Sequence, residues 1–158
     1  MVGVPVTING LPLHPLVVHA VVVLLPLATI GVIALAVRPS LRGRFGGLVI
    51  AVAALATVAI PVATSTGEGL ASKVGEPHEH AELGDSLIVF AIPLLVAAVA
   101  LVWLHRRPGA RRGLTVAVSV LAVLVGTANL VQVYRVGESG ARAVWGNTNA
   151  VTGTATRR

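Results

Sequence analysis

Five histidines and six carboxylates carry most of the chemistry this 158-residue chain could perform. His14 and His19 bracket Pro15 in the run Leu13-His14-Pro15-Leu16-Val17-Val18-His19. His78, Glu79, His80, Glu82 and Asp85 follow one another within a single short segment, and Glu138 sits in Gly137-Glu138-Ser139-Gly140-Ala141. Imidazole and carboxylate are nitrogen and oxygen ligands suited to iron, zinc or copper. His14, His19, His80, Glu82, Asp85 and Glu138 therefore form a candidate metal-ligand set. Two neutral imidazoles from different helices can also hold the iron of a b-type haem. His19 and His80 are the preferred pair for that role, with His14 as a third candidate. The chain has no Cys, which excludes disulfides, thiolate metal sites and covalent c-type haem. No His-Glu-x-x-His zinc signature is present.

The elements that must position these groups are membrane spans. Four apolar runs without a charged residue, Leu16–Val37, Phe45–Thr66, Ser86–Leu104 and Gly113–Tyr134, are 22, 22, 19 and 22 residues long. A helix needs about 20 apolar residues to cross a bilayer. Hydrophobic residues make up 55% of the chain and charged residues only 11%, less than half the share usual in a soluble domain. Backbone in hydrocarbon must satisfy its own hydrogen bonds, and the runs lack the two-residue alternation of a barrel. The expected fold is all-α: a single four-helix transmembrane domain over residues 1–146, followed by a disordered tail over 147–158.

Orientation is read from the basic residues. The first connection holds Arg38, Arg42 and Arg44, and the third holds Arg106, Arg107, Arg111 and Arg112, neither with an acid. The second connection and its flanks hold Glu68, Glu76, Glu79, Glu82 and Asp85 against Lys73 alone. This places both Arg loops in the cytoplasm and both termini outside a bacterial plasma membrane. His14, His19, His80 and the acids then share the outer end, and His105 lies at the inner one. Arg135, Arg142, Arg157 and Arg158 run against the rule. The neutral N-terminus and full-length first run predict a span retained in the protein rather than a cleaved signal. The +6 net charge sits in juxtamembrane clusters, a pattern of topology signals that excludes nucleic acid as partner. An excess of Arg over Lys with abundant Ala, Val and Gly fits a GC-rich bacterial genome.

Local punctuation fits the same picture. Pro26, Pro61 and Pro93 fall inside spans, where neighbouring helices can re-satisfy freed carbonyls. Gly46, Gly47, Gly84 and Gly126 are places where helices could approach closely. Asn129 and Gln132, three residues apart, share a face of the fourth span. Burying an unpaired imidazole would cost roughly 1–3 kcal/mol, so His19, inside the first span, is expected to meet His80, Glu82 or Glu138.

The run Asn9-Gly10-Leu11-Pro12-Leu13-His14-Pro15-Leu16-Val17-Val18-His19 resembles a family of small bacterial four-span proteins, domain of unknown function 2231. So do His80-Ala81-Glu82-Leu83-Gly84-Asp85 and Gly137-Glu138-Ser139-Gly140-Ala141. The resemblance covers roughly Leu11 to Trp145 and implies a four-helix membrane bundle, without implying an activity. Relatives usually carry His where this chain has Glu138.

Three roles compete for the outer cluster. Haem binding would bring a membrane redox partner. A divalent metal site would use the nitrogen and oxygen ligands named above. In a purely structural or partner-binding protein the same groups would solvate the interface and hold helices together, the bilayer being the one certain partner. Proton or solute transport is a fourth reading, weakened by the lack of a charged residue near mid-membrane and of an inverted repeat. No nucleophile elbow, phosphate-binding loop or dinucleotide fingerprint is present, so the protein is expected not to be an enzyme.

Overall fold

The computed structural model describes residues 7–8, 11–74 and 78–145. The proposed tail over 147–158 lies outside the described residues, as do the side chains of His78 and Glu79. Two residues, β1 (Thr7–Ile8), pair antiparallel with β2 (Leu11–Pro12), and all other regular structure among the described residues is helix. The helices are α1 (Leu13–Val37), α2 (Leu41–Val74), α3 (His78–Arg106) and α4 (Arg112–Trp145). All four contain a segment long and apolar enough to cross a membrane.

Each helix outruns the apolar stretch that announced it. His80 lies in the first turn of α3 and not in a loop above it, and Gly137–Ala141 continues α4. Polar residues end a hydrocarbon span without ending a helix, and Ala81, Glu82 and Leu83 are good helix formers. Pro26, Pro61 and Pro93 all sit inside continuous helix.

Sequential helices are neighbours, α4 closes against α1, and α1 meets α3 across the middle. The α1–α2 turn is tight: the amides of Leu41 and Arg42 donate to the carbonyls of Arg38 and Pro39. The α3–α4 turn needs a left-handed residue, supplied by Gly109 at φ 79°, a conformation open to glycine at little cost.

The buried positions repeat at alternating steps of three and four. In α1 they include Val21, Leu25, Ala28, Val32 and Leu35; in α3, Leu87, Ala91, Leu94, Ala98 and Leu101. In α2 the series is Arg42, Gly46, Ala53, Ala56, Ile60 and Ala63. A repeat of 3.5 residues is the seam of helices packed knobs into holes at a small crossing angle. Val22, Leu27, Ile30, Leu48, Val58 and Val120, off the seam, are exposed and belong to the lipid face.

Small residues set the helix spacing at three places. A Cβ on Gly31 of α1 would lie 2.9 Å from Val49 of α2. A Cβ on Gly46 would lie 2.5 Å from Val102, and one on Gly126 would lie 2.9 Å from Ile33. Gly47 and Gly84, expected to do the same, meet nothing within 4 Å.

Candidate functional site

The seam decides which histidines face the bundle. Counting back from Val21 by three and then four reaches Val18 and His14, so His14 is on the seam and His19 is off it. His14 is half-buried between α1 and α2, with Nδ1 donating to the Ala63 carbonyl at 2.9 Å. Thr66 Oγ1 lies 3.4 Å from the same nitrogen. Its proton is used within α2, where it bonds the Val62 and Ala63 carbonyls. The ring lies against Gly67: a Cβ there would come within 2.9 Å of His14 Cε1.

His80 repeats this arrangement on the other hairpin. Its seam position, seven residues before Leu87, turns it onto α4. Nδ1 stands 3.1 Å from Ser139 Oγ, and Ser139 donates its own proton to the Val136 carbonyl at 2.9 Å. A hydroxyl has one proton, so Ser139 accepts and His80 Nδ1 donates. A Cβ on Gly140 would approach His80 Cε1 to 3.1 Å. Both imidazoles are therefore donors at Nδ1.

His105 closes the pattern at the opposite end. A Cβ on Gly43 of α2 would lie 3.2 Å from its Nε2. Gly43 and Gly67 are 24 residues apart on α2, and His80 and His105 are 25 apart on α3. At 1.5 Å per residue each pair spans roughly 36 Å, slightly more than a hydrocarbon core. Three histidine–glycine contacts thus mark the two ends of the membrane-crossing bundle.

His19 departs from expectation. It is exposed and turned away from the bundle, with Nδ1 bonded 2.5 Å from the Pro15 carbonyl of its own helix. It meets neither His80, Glu82 nor Glu138. A buried position follows from the phase of a residue around the helix, and depth along the span does not supply it. The acids among the described residues also stay at the surface. Glu82 and Asp85 are exposed, and Glu138 pairs with Arg142 one turn on at 3.3 Å, a contact of small energy in solvent. Among the described residues no three His, Asp or Glu side chains come together as a metal site.

Buried polar contacts further into the bundle than His14 and His80 tie helices together. Gln132 Nε2 donates to Ser86 Oγ at 2.6 Å, joining α4 to α3. Asn129, fully buried, meets Thr29 of α1. Thr29 Oγ1 lies 2.8 Å from the Leu25 carbonyl and 3.3 Å from Asn129 Oδ1, and Asn129 Nδ2 has no partner among the described residues. Turning the amide over would let Nδ2 donate to Thr29 and orphan Oδ1 instead; one end of the amide is unsatisfied either way. Asn129 and Gln132 share a face as their spacing required, yet they serve different helices.

A family model described as a predicted membrane protein, DUF2231, matches residues 10–153. The chain belongs to the DUF2231 family. No curated protein matches it at a significant level. No solved structure does so either. The family assignment agrees with four apolar helices and a multi-pass membrane location. Of the motif residues that carried the resemblance to DUF2231, His14, His80, Ser139 and Gly140 make the helix contacts at the end opposite His105.

Sequence reasoning missed the partners of the histidines. Thr66-Gly67 and Ser139-Gly140 are each a hydroxyl residue followed by glycine toward the end of a helix opposite the Arg loops, a matched pair that could have signalled a seat for a ring. Arg42, by sequence a loop charge, is only 3% exposed. Its Nε donates to the Leu35 carbonyl at 2.8 Å and its Nη2 to the Ala36 carbonyl at 3.1 Å. Nη2 also reaches Ser119 Oγ on α4 at 2.9 Å. Arg42 thus caps the carbonyl end of α1, where such groups lack intrahelical partners and a positive charge is favoured.

Proposed function

We propose that this protein is a non-catalytic structural or partner-holding component of a bacterial plasma membrane, with both termini outside, whose histidines act as clasps between helices. The observation that supports this most is the seating of His14, His80 and His105 each on a glycine of a neighbouring helix. The two outer rings bond to protein acceptors on separate hairpins rather than to a common centre. Each outer clasp closes one hairpin, α1 to α2 and α3 to α4, and so fixes the outer surface that a partner would meet.

A second reading is favoured by one specific feature. A metal-ligating histidine usually donates its other ring N–H to a protein acceptor, which fixes the tautomer. His14 and His80 are held through Nδ1 in that way, and neither Nε2 has a hydrogen-bond partner among the described residues. On this reading they would hold haem b or a divalent metal after the hairpins shift, and a membrane redox partner would follow from haem.

The absorbance of detergent-purified protein, oxidised and reduced, together with its metal content, separates the two. The clasp reading expects neither a reducible Soret band nor stoichiometric metal. Either signal, lost in both His14→Ala and His80→Ala, would replace it with the second reading.

A further inference from the structure

The bundle buries a cation without a counter-charge. Arg42 is nearly inaccessible, and its bonds run to two carbonyls and a hydroxyl, all neutral. The carbonyl end of α1 offers only the partial negative charge of a helix terminus. Nη1 makes no hydrogen bond to the described residues. Beside it, α1 and α4 part to form an open groove of about 260 Å³ lined by Ala36, Val37, Ser119, Val120, Val123 and Leu124. Two of those residues, Ala36 and Ser119, accept from Arg42. The groove starts at the level of the Arg42 guanidinium and runs more than one turn toward mid-membrane along α4.

The mouth of the groove is basic. Arg38 follows Val37 directly and is exposed. Arg112 lies two turns before Ser119 on the same face of α4 and is also exposed. Neither adjoining loop contains an acid. An apolar slot of this kind, open to lipid and crowned by arginines at headgroup depth, matches a molecule with an apolar tail and an anionic head.

We infer that the groove between α1 and α4 binds one acyl chain of an anionic phospholipid from the leaflet on the Arg-loop side, its phosphate held at the exposed Arg38, near the buried charge of Arg42. The lipid phosphate supplies the missing counter-charge. Juxtamembrane arginines attract anionic lipid in this way, with an effect of about five-fold per residue. The inference is independent of what the histidines do.

The test is native mass spectrometry of the full chain in neutral detergent, offered phosphatidylglycerol and phosphatidylcholine with the same acyl chains. The wild-type protein should retain phosphatidylglycerol in preference. Arg38→Gln should reduce that retention about five-fold. Val120→Trp, which fills the groove from an exposed position, should abolish it, and Leu55→Trp on the exposed face of α2 should not. Both Arg38 and Val120 are at the surface, so neither variant depends on the capping role of Arg42. Equal retention of the two lipids, or unchanged retention in Val120→Trp, overturns the inference. So does displacement of the lipid by inorganic phosphate alone, which would show that the groove contributes nothing. A wild-type dimer that Val120→Trp dissociates without loss of lipid would assign the groove to a second copy of the chain and overturn it as well.

Discussion

His80 donates its Nδ1 proton to Ser139 Oγ 3.1 Å away, and Ser139 passes its own to the Val136 carbonyl. This two-bond chain holds the first turn of α3 to α4. Replacing Ser139 with Ala removes the acceptor and leaves the buried side of the imidazole without one. A loss of about 1 kcal/mol is expected, read as a lower midpoint in thermal unfolding in detergent. Ser65→Ala, at an exposed position bonded only within its own helix, should leave the midpoint in place.

Asn129 is ten residues from Ser119 and ten from Ser139, close to the middle of the bundle. Its one contact with Thr29 is long, and Thr29 keeps the Leu25 carbonyl without it. Interhelical hydrogen bonds in membranes average about 0.6 kcal/mol, and the orphaned end of the amide offsets that gain. Asn129→Leu should therefore change stability by less than about 1 kcal/mol, in either direction. A loss of several kcal/mol in the same unfolding measurement would mean that the amide has a strong partner at mid-membrane.

Arg42 satisfies two of the last carbonyls of α1 and reaches across to α4. Charge-assisted bonds of this sort contribute roughly 1.5–3 kcal/mol. Arg42→Ala should cost about that much, whereas Arg44→Ala, exposed on the same turn, should fall within about 0.5 kcal/mol of wild type. Equal effects from the two substitutions would remove Arg42 from its capping role.

The orientation rests on arginines in the first and third connections. Cysteine at Ser40 or Gly109 should be shielded from an impermeant thiol reagent in intact cells, and cysteine at Asn147 should react. The reverse pattern would put His14 and His80 on the cytoplasmic side.

The four spans were legible because charge-free runs of span length, in a chain only 11% charged, suit a hydrocarbon layer and little else. Where the helices end was not legible. His80–Asp85 is polar, and polarity marks the hydrocarbon boundary, while the backbone goes on bonding to itself beyond it. The inward histidines were written in the sequence as well. His14 falls on the seam through Val21, Leu25 and Ala28, and His19 does not. Weighing depth above phase selects His19, the one that faces out. The glycine seats were hidden for a different reason. Gly67 and Gly140 lie 53 and 60 residues from the rings they receive, and only packing pairs them.

A double-mutant cycle between His14 and Gly67 tests the clasp most directly. Gly67→Ala gains up to about 1 kcal/mol of helix propensity, but its Cβ would displace the His14 ring and with it the bond to the Ala63 carbonyl. In the wild-type background the two effects should roughly cancel. In the His14→Ala background the ring is gone and the same substitution should stabilise, giving a coupling of about 1 kcal/mol in detergent unfolding. Gly140→Ala with His80→Ala should behave alike. If Gly67→Ala has the same effect with and without His14, the ring does not seat on that glycine and the clasp is contradicted.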